Sequence, residues 1–180
     1  MKTTRVNRWA LWMGLWIAAP SSAAGSAPER INAQRVLSEL HHSDQIEIQF
    51  GEMAQAKGTS SDIRDYGDRI VKDHRDADRQ VKDLAEKDGI PLVAQSTSGW
   101  LNRFAASLER RVMADLSRKS GRAFDKAFMN ATIDDHKRDI SNLESNNNSM
   151  RQEDLHALLA RLLPALEQHL EQAEKIQRHN

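Results

Sequence analysis

From Ser26 to the C-terminus most apolar residues return at every third or fourth position, and the short runs that alternate apolar with polar, "IEIQF" at 46–50 and "MNATID" at 129–134, lie inside stretches with that spacing. The spacing marks amphipathic helices, and a chain without separate period-two segments has no half-buried strand from which to build a sheet. Most of the Gly and Pro fall between the periodic stretches, as helix punctuation does. A first long helix starts at "SAPE", with Ser26 as cap, Pro28 in the first turn and Glu29 closing a capping box, and Gly58 ends it after Lys57. "TSSD" starts a second, from about Asp62 to Asp88, which "GIP" at 89–91 stops; 92–99 read as loop. Residues 100–116 form a shorter helix ended by "SRKSG". A third long helix runs from about Arg122 to Glu144, "SNNNS" is read as a turn, and a fourth, capped within 149–152, continues to about Arg178 with Pro164 inside it. Four long helices, with one short helix between the second and third, predict an all-α four-helix bundle.

The first 24 residues read differently. "MKTTRVNR" carries Lys2, Arg5 and Arg8 without an acid, "WALWMGLWIAAP" is apolar, and small residues follow up to Ala24. This is the pattern of a cleaved secretory signal, and the apolar run is shorter than the roughly 20 residues a bilayer span needs. The expected product, residues 25–180, is one helical-bundle domain of about 155 residues in the periplasm or secreted. It loses three of its 26 basic residues and keeps 26 acids, so charge gives it no reason to seek nucleic acid. No later segment is apolar enough to span a membrane. There is no cysteine, which removes disulfides, thiol nucleophiles and thiolate ligands together. No Gly-x-Ser-x-Gly elbow or Gly-rich phosphate loop is present.

Helical wheels place the polar residues. In the second helix Ile63, Tyr66, Ile70, Ala77, Val81 and Leu84 define the apolar stripe, and His74 lies within roughly 20° of its centre. His169 falls inside the stripe of Leu155, Leu159, Leu162, Leu166 and Ala173, and His136 inside that of Met129, Ile133, Ile140 and Leu143. In the first helix Glu47 is near the stripe centre, with Asp44 and Gly51 beside it. Each long helix thus offers the core one metal-capable side chain: Glu47, His74, His136 and His169. Buried groups of this kind must be paired, hydrogen-bonded or metal-bound. Asp78, one turn after His74, is placed to accept its second ring proton. Asp73, Asp76, Asp135 and Asp139 read as a solvated face paired with neighbouring Lys and Arg.

Inward Glu and His in a four-helix bundle suggest a metal site, but not the di-iron signature Glu-x-x-His. That spacing occurs at Glu39–His42 and Glu153–His156, but the wheel sets His42 roughly 130° from its stripe centre, turns Glu153 outward and leaves His156 on a shoulder. The pair His41 and His42, and His179, are expected to be exposed. Pairing the first two helices about residues 59–60 sets Glu47 level with His74. Pairing the last two about residue 147 leaves His136 and His169 roughly 15 Å apart in depth and sets His169 level with Asp125. The expected ligand set is therefore Glu47 and His74 with one or both of His136 and His169, and Asp44, Asp78 and Asp125 as further candidates.

"ELHHSDQIEIQFGEMA", "IVKDH", "GRAFDKAFMNATIDDHKRDI" and "LLPALEQHLEQA" together resemble the bacterial domain-of-unknown-function family four-one-four-two over residues 33–176. The family's Leu-His, Asn and Glu are matched by Leu40-His41, Asp44 and Glu47, with Asp in place of Asn. Its Asp-His is matched by Asp73-His74, its Phe-Asp, aromatic and His by Phe124-Asp125, Phe128 and His136, and its Leu-Pro and His by Leu163-Pro164 and His169. The resemblance implies a ferritin-like bundle and export, often under the label of a putative outer membrane protein, and no activity.

The reading that follows is an exported ferritin-like bundle holding a transition metal, zinc, iron, manganese or copper(II), with a role in envelope or stress physiology. If it is an enzyme, a metal-dependent oxidoreductase is the first expectation. The alternative is a non-enzymatic periplasmic scaffold or interaction protein whose inward polar residues only set helix register. A protein partner or a homo-oligomer is not readable from the residues.

Overall fold

In the computed structural model, which describes residues 26–94, 100–149 and 151–179, helix α1 (Ala27–Lys57) starts on the expected capping box. The Glu29 carboxylate accepts from the Ser26 backbone N–H at 2.8 Å and from its hydroxyl at 3.0 Å. The signal reading of 1–24 and most of the loop expected at 92–99 lie outside the described residues. Helix α2 (Ser61–Lys87) is capped by the Ser60 hydroxyl, which accepts from Ile63 N–H at 3.3 Å. It ends at Gly89, whose φ of +60° is open to glycine without strain. There Ile90 N–H reaches the Ala85 carbonyl at 2.8 Å and Gly89 N–H reaches Glu86 at 3.1 Å, the paired bonds of a Schellman cap. The cap also turns Ile90 into the core. Helices α3 (Trp100–Arg118), α4 (Gly121–Ser149) and α5 (Glu153–His179) complete the chain.

One boundary departs from expectation. The "SNNNS" segment is no turn: α4 runs through it to Ser149. Asn is a modest helix former, but tertiary contacts override propensity here. Leu143 is buried just before the segment, and Arg35 of α1 donates to the Asn146 side chain at 3.1 Å.

Contacts along the helices fix the topology. Arg35 meets Asn146, Ser43 meets Asp139 and Thr59 meets Asp125, so α1 and α4 are antiparallel neighbours. Lys87 meets Asp154, and Arg69 meets Gln172, so α2 and α5 are too. With the hairpins α1/α2 and α4/α5 closing the ring, α2 and α4 stand on a diagonal and run the same way. The chain between them must travel back along the bundle, and α3 does so against α1 and α4. His42 of α1 contacts Glu109 at 2.9 Å, and Lys57 donates to the carbonyls of Leu116 and Ser117 at 3.2 and 2.5 Å. An all-α bundle with one long crossover is the connectivity of ferritin-like proteins. Among the described residues no helix is long and apolar enough to cross a membrane.

Two glycines bring α1 and α2 unusually close. A Cβ on Gly51 would stand 2.7 Å from Val71 Cγ2 and 2.8 Å from the Gly67 carbonyl; one on Gly67 would stand 2.8 Å from Ala54 Cβ. This contact holds the register of α1 on α2 one turn from Glu47 and two turns from His74.

The apolar core divides into two clusters. One, at the α1/α2 turn, contains Phe50, Ile63, Tyr66, Phe124, Phe128 and Ile176. The other, at the α4/α5 turn, contains Val36, Leu37, Val81, Leu155, Leu159 and Leu166. Between them lies a buried polar layer.

Candidate metal centre

Three of the four long helices each place one histidine in that layer: His74 from α2, His136 from α4 and His169 from α5, all at most 3% exposed. Their ring centroids are 5.3, 5.5 and 5.7 Å apart, and one nitrogen of each ring lies within 4.8 Å of the others. The longer α4 is what makes this possible. Moving the turn from residue 147 to about 151 brings His136 and His169 to within roughly 5 Å in depth, at 1.5 Å per residue.

The outer nitrogens are held by oxygen. His136 Nδ1 lies 3.0 Å from the Thr132 carbonyl, which only accepts, so Nδ1 carries the proton. His169 Nε2 lies 2.9 Å from Asp73. Partial burial works to raise Asp73, but the hydrogen bond from His169 and the contact with Arg69 outweigh it and leave its carboxyl below the usual range. Asp73 is therefore the acceptor and His169 Nε2 the donor. The inner nitrogens, His136 Nε2 and His169 Nδ1, then both present lone pairs, and they are 3.3 Å apart. Two nitrogens bound at about 2.05 Å to a tetrahedral ion stand about 3.3 Å apart.

His74 completes the set. Its Nδ1 lies 2.8 Å from Asp44 Oδ1, and its buried Nε2 has no hydrogen-bond partner. With Asp44 ionised, Nδ1 donates and Nε2 offers a third lone pair, the carboxylate–histidine arrangement that orients metal ligands. Burial pushes all three imidazoles towards the neutral, ligating form, His74 to about 4, His136 to about 3 and His169 to about 4. Burial also pushes the Asp44 and Glu47 carboxyls well above the usual range, so without a cation they favour the protonated form, and the positive charge of a bound ion is what would ionise Asp44 and set His74 in the ligating tautomer. Among the described residues six buried side-chain atoms lack a hydrogen-bond partner. Five belong to this layer: Asp44 Oδ2, both Glu47 oxygens, His74 Nε2 and Thr132 Oγ1.

The profile of a family described as Domain of unknown function (DUF4142) matches residues 18–176. The chain belongs to this family. Comparison with curated proteins and with solved structures gave no match.

In this DUF4142 chain the expected site residues separate into three groups. His74, His136 and His169 converge, and Asp44 joins them through His74. Glu47 is buried in the same layer, but its Oε1 approaches the outer nitrogen of His136, at 3.5 Å, and not the inner ones. Asp78 and Asp125 belong elsewhere. Asp78 accepts from Gln45 and Lys82 at 3.0 and 2.7 Å and lies 2.5 Å from His41. Asp44, reaching across from α1, takes the place beside His74 expected for it. Asp125 binds the Thr59 backbone N–H at 3.1 Å and the Thr59 hydroxyl, at the far end of the bundle, because the displaced α4/α5 turn slides α4 along α5.

The flanking acids also need correction. Asp73 serves His169, Asp139 is largely buried against Ser43, and Asp135 is buried beside Arg138. Only Asp76, paired with Arg79, keeps a surface role. His41 and His42 are half-buried and paired, with Asp78 and Glu109. Residues at the shoulder of a wheel, such as Asp73, become inner or outer only when the neighbouring helix is placed. The signal available for Asp73 was its position on the same helix face edge as His74.

Proposed function

We propose that this chain is an exported helical-bundle protein that binds one transition-metal ion through His74 Nε2, His136 Nε2 and His169 Nδ1. The observation that carries the reading is the 3.3 Å approach of two buried imidazole nitrogens whose opposite nitrogens are both committed as donors. Facing lone pairs repel, and a cation between them removes the repulsion. Asp44 and Asp73 are the positioning residues that hold His74 and His169 in the ligating tautomer. Three imidazoles and no thiolate favour zinc or copper(II) over manganese. Export rests on the basic, apolar and small-residue segments of 1–24.

The test is elemental analysis of untagged protein recovered from the envelope of cells expressing the full chain, beside a His74→Ala variant. One metal ion per chain, lost in the variant, and a mass matching cleavage after Ala24 are the expected results. A folded wild type without metal would sink the metal reading. The layer would then be a polar plug in which His136 and His169 share a proton and helix register is the gain.

A further inference from the structure

Three histidines leave a tetrahedral ion one position short, and a catalytic or ligand-binding site keeps such a position open. The polar layer has an opening to match. A pocket of about 280 Å³ is walled by residues of all four long helices. His74 and His169 line it and His136 does not, so the ion's accessible side is the one between His74 and His169. Because both histidines are buried while Arg161 is exposed, the histidines form the floor and Arg161 marks the mouth.

The lining restricts what can enter. Leu40, Leu143, Leu162 and Leu166 make the walls apolar. The charged groups are Asp44, Asp73, Asp76 and Asp139 against the single guanidinium of Arg161. Arg69 and Arg79, which pair with Asp73 and Asp76, do not line the pocket. With a divalent ion bound, its two positive charges and that of Arg161 still do not exceed the four carboxylates, so no net positive charge draws in an anion, and a cation has no lone pair to give a metal. The volume falls below the roughly 300–1,000 Å³ of pockets for drug-sized ligands.

We propose that this pocket delivers a small uncharged molecule, with a nitrogen or oxygen lone pair at one end and an apolar body, to the fourth coordination position of the ion. The proposal rests on the metal reading above. Ala165, which lines the pocket one turn before His169 without ligating, is the place to block it.

The experiment uses the purified exported protein loaded with cobalt(II), whose visible bands report a new ligand. Nicotinamide and nicotinate are titrated separately; they share size and ring-nitrogen donor and differ by one negative charge. Nicotinamide is expected to shift the bands saturably and at least about tenfold more tightly than nicotinate. Ala165→Phe is expected to keep one cobalt per chain and lose the shift.

Cobalt held by wild type and lost in His74→Ala, with bands that ignore nicotinamide or respond equally to nicotinate, overturns the pocket proposal and leaves the metal reading standing. An Ala165→Phe protein that binds cobalt and nicotinamide like wild type also overturns it. Should that variant not fold, the two ligands on wild type decide the matter. Protein that takes up no cobalt removes both readings together.

Discussion

The two ends of the bundle and its middle are made by the same four helices on opposite terms. At the ends, Tyr66, Phe124 and Phe128 on one side and Leu37, Leu155 and Leu159 on the other are at most 1% exposed. Each such side chain contributes about 1.5–3 kcal/mol by leaving water. In the middle, Glu47 is equally buried, yet neither of its oxygens has a hydrogen-bond partner. An unmet buried polar group costs about 1–3 kcal/mol. The ends therefore stabilise a fold in which the middle is an expense, and a bundle that only needed to stand would have filled that layer with leucine. The difference teaches that the layer is held in place by its neighbours for something other than stability.

The sharpest break of this comparison is in the apolar end. Phe128→Ala removes a fully buried ring stacked on Phe124 and edge-on to Tyr66, and should lower unfolding free energy by about 3–5 kcal/mol in urea titration. The middle should answer acid where the ends do not. Its three histidines have folded pKa values near 4, 3 and 4 against an unfolded value of 6.5. Protons therefore favour the unfolded chain below pH 6.5. The metal-free protein should lose stability as pH falls from about 6.5 to about 4, and a His169→Leu variant should show a shallower fall. Asp44 and Glu47, whose folded values are raised, act in the opposite sense, losing stability as pH rises above about 4.

Smaller effects sharpen the contrast further. Glu47→Leu should raise the stability of metal-free protein by about 1–4 kcal/mol, because an unpaired buried carboxyl gives way to packing; a loss would mean that Glu47 is satisfied in solution. Asp73→Asn should weaken metal binding by about ten- to a hundredfold, measured by competition with a chelator, while leaving the unfolding midpoint of metal-free protein nearly unchanged. At the bottom of the scale, Glu52→Ala breaks an exposed pair with Arg75, 2.8 Å long, and should move stability by about 0.5 kcal/mol or less.

Much of this was legible in the residues, and the parts that were not share a cause. The period of three to four, the capping box at Ser26, the serine cap at the start of α2, and the stops at Gly58 and Gly89 are local features, and they alone determined that the chain is an all-α bundle with four long helices and one short. The same period put His74, His136 and His169 on inward faces, because which face a residue occupies depends only on its own helix. What a helix meets across the core depends on where its neighbour stops. A run of Asn and Ser does not say whether Arg35 will reach Asn146 and carry α4 through it. The tertiary structure decided that, and with it the depth of His136 against His169. Hence only the assembled bundle chose Asp44 over Asp78 for His74, gave Asp73 to His169, and sent Asp125 to Thr59. Sequence set the direction in which each side chain points; the relative slide of the helices, fixed by long-range packing, set what lies at the other end.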